Sequence, residues 1–239
     1  MGENTMKKIT FAAALLAALM LILMSSVAFA EEKSASDYLH EMESRSGDIL
    51  PKFMKTYSEN PDFIGQLTIK GTKIDYPIMY TPDEPHKYLY ANFDGEYDKK
   101  GLPFIDESCT LYSDNVIIHG HNMKDNSMFG TLPDYAKKSY WEKYPTIQFD
   151  TLYEEREYEI MFAFRDRVYY KHEDVFKFYQ FINAKDEADF EWAMENYREK
   201  ALYDTGVTAE YGDKLLTLVT CAYHVENGRF VVVAKLKQE

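Results

Sequence analysis

The chain reads as one main domain built mostly of β-strands, a barrel or a sandwich, with one inserted helical segment. Three observations carry that reading. Twenty Tyr and 15 Phe in 239 residues favour strands with aromatic cross-strand pairs. From residue 63 onward, short apolar runs are separated by Gly, Asn and Asp turn signals, with no repeat, long linker or low-complexity tract. Helical spacing of apolar residues is concentrated in segments 33–59 and 173–200.

The N-terminus is an export signal. Lys7 and Lys8 precede the apolar stretch 9–30, which ends small-x-small at Ala28-Phe29-Ala30 before Glu31 and Glu32. That order matches a secretory signal peptide. At 1.5 Å per residue the same stretch reaches roughly 33 Å, enough to cross a bilayer uncleaved. The lysines keep the N-terminus inside in both cases, so the rest is exported. Residues 1–30 are thus a signal peptide or a membrane anchor. The protein is either held on the extracytoplasmic face of the membrane or secreted after cleavage at Ala30.

Residues 31–59 form a helical extension. Tyr38, Leu39 and Met42, then Ile49, Phe53, Met54 and Tyr57, predict two short amphipathic helices broken near Ser46-Gly47. The main domain occupies 60–239. FIGQLTIKGTKIDYPIMY (63–80) reads as strand, Gly71 turn, strand, and a short strand follows around Phe104 and Ile105. Asn115 to Ile118 is a strand opening onto His119-Gly120-His121-Asn122. A loop-to-helix stretch (127–145) leads to strands at TIQFDTL and REYEIMFAFRDRVYY. Residues 173–200 read as helical, with Phe190, Met194 and Tyr197 forming a stripe that suits core packing. Two strands around Cys221 and Arg229 close the chain.

Twenty-seven basic and 40 acidic residues leave a formal charge of −13, without the basic footprint of a nucleic-acid binder. A basic peptide or an amine suits this surface better. The two cysteines, Cys109 and Cys221, are too few for a disulfide scaffold, and no CxxC pair suggests zinc. In an exported protein they could form one disulfide, but Cys109, in a polar stretch after a short strand, is read as a free thiol. The acidic residues show no EF-hand spacing, so no metal or cofactor is expected.

Of six histidines, His119 and His121 stand apart, beside a glycine at the mouth of an apolar strand. An HxH pair on a strand shares one face and could ligate a metal, but no third ligand presents itself. The competing role is a partner to a cysteine in thiol-dependent acyl transfer. His224, three residues past Cys221, reads as a loop residue.

The polar insert AYHVENG (222–228) leaves two geometries open. A two-residue Asn227-Gly228 turn would set Glu226 opposite Arg229 and Cys221 near Ala234. Cys221 and Arg229 would then lie about 16 Å apart along the ladder. A longer loop would instead bring thiol and guanidinium side by side.

Thr217-Leu218-Val219-Thr220-Cys221 matches the TLxTC signature of sortases, the cysteine transpeptidases of Gram-positive cell surfaces. The stretch 115–123 resembles that family's strand leading into Gly-His-Asn, and Arg229 in GRFVVVAKL is similar to the arginine opening its last strand. FIGQLTIKGTKIDYPIMY, HNMKDNSMFGTL and the helix-bearing segment before the last two strands resemble class B members. The likeness covers about residues 60–238. It departs at His119, where relatives commonly carry an aromatic residue, and the Gly-His-Asn alignment selects His121.

The resemblance implies an eight-stranded β-barrel with N-terminal helices and a helix in the loop before the seventh strand. It implies that Cys221 attacks the carbonyl after a threonine in a short sorting signal, giving a thioacyl-enzyme. A thiolate is the competent nucleophile, and neighbouring cations favour it. His121 would protonate the leaving amine and deprotonate the incoming one. Arg229 would stabilise the developing oxyanion, and Thr220 would sit beside the bound threonine. The implied partners are surface proteins with a C-terminal sorting signal and a cell-wall amine from peptidoglycan or its precursor; a pilin lysine is a further acceptor. Rival readings are a thiol peptidase that passes its product to water, and a surface-binding module without catalysis. The resemblance decides for the loop: residues 222–228 bulge away, Cys221 and Arg229 become neighbours, and His121 faces them.

Overall fold

The structure, a computed structural model, describes residues 48–238. Eight strands close into a barrel: β1 (Phe63–Thr68), β2 (Asp75–Met79), β3 (Phe104–Ile105), β4 (Asn115–His119), β5 (Thr146–Thr151), β6 (Glu157–Arg167), β7 (Leu215–Cys221) and β8 (Gly228–Leu236). Their order around the barrel is β1-β2-β3-β4-β7-β8-β6-β5. The choice between barrel and sandwich is settled by β1, which pairs antiparallel with both β2 and β5 and so closes the ring.

The strands form where the apolar runs placed them, and burial explains their texture. In β5 burial alternates, with Ile147 and Phe149 inward. In β7 every residue from Leu215 to Thr220 is buried, as befits a strand covered on both faces, and only Cys221 emerges. β8 pairs with β6 on one side and β7 on the other, and its Phe230 to Ala234 are wholly buried.

Among the described residues three α-helices flank the barrel: α1 (Met54–Glu59), α2 (Lys138–Lys143) and α3 (Glu187–Lys200). Phe53, at the start of α1, packs edge-on against Phe63 at 5.2 Å and ties the extension to β1. The expected earlier helix around Tyr38 to Met42 and the export segment 1–30 lie outside the described residues. Among the described residues no helix is long and apolar enough to cross a membrane.

The helical stretch expected over 173–200 is shorter than its composition suggests. α3 starts only at Glu187, where the Asp186 carboxylate accepts the Asp189 N–H at 2.9 Å. Ahead of it the chain runs irregularly, with a 3-10 turn at Phe178–Gln180. That path drives Phe176, Phe178 and Phe181 into the core, where Phe176 and Phe181 meet the fully buried Tyr197 of α3 at 5.2 and 6.2 Å. Phe190, Met194 and Tyr197 do form the buried stripe of α3.

Candidate active site

β4 and β7 are parallel neighbours, running in register from Asn115 opposite Leu215 to His119 opposite Val219. A buried polar pair keys that register. The Thr217 hydroxyl donates to Asn115 Oδ1 at 2.7 Å, and Asn115 Nδ2 donates to the Phe181 carbonyl at 2.8 Å. Both side chains are fully buried, so a slipped register would leave both unsatisfied.

Beyond β4 the chain turns through Gly120-His121-Asn122 and stays fastened to the end of β7. Gly120 N–H donates to the Val219 carbonyl at 3.1 Å, and the Thr220 hydroxyl donates to the Gly120 carbonyl at 2.7 Å. Asn122 Nδ2 donates to the Cys221 carbonyl at 2.7 Å. Gly120 is required by space: a Cβ there would lie 2.6 Å from the buried Phe129 ring.

On the other side of β7, Cys221 is directly opposite Arg229 of β8. The connection is the longer loop. Asn227 has a positive φ of 54° but Gly228 does not, whereas a type I′ turn needs both. Gly228 instead begins β8, and its carbonyl accepts the Ala222 N–H at 3.0 Å. A Cβ on Gly228 would lie 2.1 Å from the Ala222 carbonyl oxygen, so the loop closes only over glycine.

Cys221, His121 and Arg229 line one cavity of about 330 Å³. Thr220, Gly120, Val219 and His119 also line it, with Phe104 on the neighbouring β3 and His86, Leu89, Leu102, Asp106 and Glu107 from the connections around β3. Cys221 is partly exposed and carries a free thiol. The His121 imidazole bonds through Nε2 to the Leu89 carbonyl at 2.8 Å and packs against the Tyr90 ring at 5.5 Å. A carbonyl only accepts, so Nε2 carries the hydrogen and a neutral ring keeps Nδ1 as its lone-pair nitrogen. Arg229 Nη1 donates to the Asn227 and Gly228 carbonyls at 3.2 and 3.0 Å, and no described carboxylate forms an ion pair with it. Its guanidinium therefore retains donors for a ligand in the cavity. Thr220 is buried, and its hydroxyl is committed to Gly120.

His119 sits in the same cavity but is engaged elsewhere. Its Nε2 is 2.8 Å from Asp106 Oδ2, and its ring leans on Phe104 at 5.6 Å. Burial alone would raise the Asp106 pKa; the bond and charge of His119, with the Ser108 N–H, outweigh it and hold the carboxyl below its usual range. With His119 turned to a carboxylate and His121 to a backbone carbonyl, the HxH pair does not converge on an ion. Among the described residues no group of three or more His, Cys, Asp or Glu side chains could hold a metal. Cys109 is buried and free, its thiol pushed up to about 12 by burial. His224 is exposed in the 222–227 loop and does not line the cavity.

Four residues of the site escaped sequence reasoning. Leu89 and Tyr90 lie in the irregular connection between β2 and β3, which carries no periodicity to place them. Asp106 follows a two-residue strand, and its partner His119 is 13 positions away. Asn122 was within reach, because it completes the Gly-His-Asn stretch, but its bond to Cys221 spans 99 positions.

A partly exposed thiol at a strand end, sharing a cavity with an imidazole and a guanidinium, is suited to acyl transfer through a covalent thioester. The sortase domain model matches residues 67–237. Sortase B of Staphylococcus aureus is 30% identical over 209 residues, covering 86% of this chain and 82% of its own. Sortase B of Listeria monocytogenes is 30% identical over 195 residues, covering 80% and 76%. Among solved structures, a Staphylococcus aureus sortase B-substrate complex superposes with a TM-score of 0.70 at 27% identity, covering 84% of this chain and 91% of that one. Sortase B from B. anthracis in complex with AAEK1 gives 0.71 at 28% identity, covering 81% and 88%. The chain belongs to the sortase family. It is a cysteine transpeptidase of the class B type, on the eight-stranded barrel that the resemblance implied.

Proposed function

We propose that this transpeptidase works at the outer surface of a Gram-positive cell, cleaving a short sorting signal after its threonine and joining the surface protein to a cell-wall amine. The observation that carries the reading is the pairing of Cys221 with Arg229 across β7 and β8, with His121 in the same cavity. In the acylation step Cys221 passes its thiol proton to His121, and Sγ attacks the threonine carbonyl carbon as a thiolate, forming a C–S bond. His121 delivers a proton to the leaving amine as the C–N bond breaks. Arg229 donates hydrogen bonds to the oxyanion that develops between those events. In the second step an incoming amine attacks the thioester carbonyl, gives a proton to His121, and expels the Cys221 thiolate.

Thr220, expected beside the bound threonine, acts mainly by fastening Gly120, since its hydroxyl is already spent there. Acceptance of peptide and amine is supported by relatives: one similar solved structure is a sortase B-substrate complex and another is sortase B complexed with triglycine. The apolar stretch 9–30 supports export, by an anchor or a cleaved signal. The test is a library of sorting-signal peptides incubated with a panel of amines and read by mass. A ligated product whose new amide follows threonine is expected. Hydrolysis alone across the panel would overturn wall-amine transfer in favour of water.

A further inference from the structure

Next to His121 the surface carries two aromatic rings that folding has left uncovered. Tyr97 is 80% exposed and Tyr90 49%. Their rings stack at 6.4 Å and 24°, and Tyr90 in turn lies 5.5 Å from the His121 ring, so Tyr97, Tyr90 and His121 form a row leading into the cavity.

The hairpin that carries the two tyrosines is tied by its own backbone. Ala91 and Tyr97 form a β-bridge, Asp98 N–H donates to the Tyr90 carbonyl at 2.9 Å, and Asn92 N–H donates to the Glu96 carbonyl at 2.8 Å. Asn92 Oδ1 closes the turn by accepting the N–H groups of Asp94 and Glu96 at 3.0 and 2.9 Å. The carbonyl of Leu89, just before this hairpin, is the one that holds His121. Two large rings are thus held out in water, Tyr90 directly beside the imidazole.

The charge around the row selects its occupant. Asp94, Glu96 and Asp98 lie on this hairpin without an ion-pair partner among the described residues, against one similarly unpaired cation, Lys99, while Lys100 is neutralised by Asp125 at 2.7 Å, so the hairpin keeps an acidic excess. Negative ring faces on an acidic hairpin attract a cation. We propose that Tyr97 and Tyr90 form a docking track for the ammonium group of the acceptor, leading it to His121. His121 takes one proton and frees the lone pair for attack on the thioester, while the second proton leaves with Cys221 Sγ as a thiol. The inference rests on the amine-acceptor reading above and adds where the amine enters.

Two nucleophiles separate the cases: triglycine, whose amine is largely ammonium near neutral pH, and hydroxylamine, which is largely uncharged there. In the full chain, Tyr97→Ala should lower triglycine ligation relative to hydrolysis by about 3- to 5-fold, the scale of one exposed cation–π contact. Ligation to hydroxylamine relative to hydrolysis should stay as in the parent. Tyr97→Phe, which keeps the ring face, should restore the triglycine ratio. Equal losses with both nucleophiles, an unchanged triglycine ratio, or failure of Tyr97→Phe to restore it would overturn the track. Absence of any ligated product from the parent protein would instead strike the acceptor reading itself.

Discussion

Cys221 and Arg229 are cross-strand partners: the last residue of β7 faces the second residue of β8, and a loop closed over Gly228 brings them there. The pairing joins the proposed nucleophile to a planar, permanently charged donor with which no carboxylate among the described residues forms an ion pair. An ammonium at the same place offers a point charge but no fork. Arg229→Lys is therefore expected to lower kcat by about 100-fold, the scale of losing an oxyanion donor. Steady-state cleavage of a sorting-signal peptide checks this, and near-parental turnover would make Arg229 a structural residue.

The closure over Gly228 makes a separate prediction. In Gly228→Ala the new methyl would meet the Ala222 carbonyl oxygen, 2.1 Å away and part of the backbone, so β8 must shift at its start. A cost of about 1–3 kcal/mol is expected, with peptide cleavage falling further than stability because Arg229 is the next residue. Thermal melting read beside activity distinguishes the two effects.

The register of β4 against β7 depends on the buried Asn115–Thr217 bond. Thr217→Val keeps the shape and deletes the hydroxyl, leaving Asn115 Oδ1 without its donor. The expected loss is about 1–3 kcal/mol, or some 2–4 °C of melting temperature per kcal/mol for a domain of this size. An unchanged melt would show that the pair contributes nothing net.

The two thiols should differ sharply in reactivity. Cys221 is partly exposed, whereas Cys109 is buried and its thiol is pushed up to about 12. Iodoacetamide near neutral pH should add one group to the folded protein, at Cys221, and a second only in denaturant. Two additions to the folded protein, by intact mass, would contradict the burial of Cys109.

Asp106 predicts an acid dependence. Its carboxyl is held below the ordinary value of 3.8, so the folded state releases this proton more readily than the unfolded chain. The stabilisation is therefore present above that value and is lost as pH falls through the lower, folded-state one. Asp106→Asn should lower the melting temperature near neutral pH, and the gap to the parent should close in strong acid. A gap that widens on acidification would reverse the sign.

Much of the fold was legible because its signals are local. The apolar runs and glycine turns located all eight strands, and the stripe of Phe190, Met194 and Tyr197 located α3. The start of α3 was misjudged by composition, since residues 173–186 are as polar and aromatic as the helix. Only the Asp186 cap and the burial of three phenylalanines mark the boundary. For the site, residue chemistry and motif selected His121, Cys221 and Arg229. The polar, non-alternating insert 222–228 leaned towards the longer loop but did not decide between it and the Asn227-Gly228 turn.

The amino-acid order thus dictates the succession of strands and the chemical types standing at their ends: an imidazole after β4, a thiol at the end of β7, a guanidinium at the start of β8. How these ends meet is a property of the folded barrel alone. The parallel seating of β7 beside β4, the pairing of Cys221 with Arg229, the Leu89 carbonyl on His121 and the Asp106–His119 bond all join residues across loops. The physical reason is that strand register is set by closing the whole ring while burying polar groups in pairs, a condition on distant residues that no short stretch of sequence can satisfy alone.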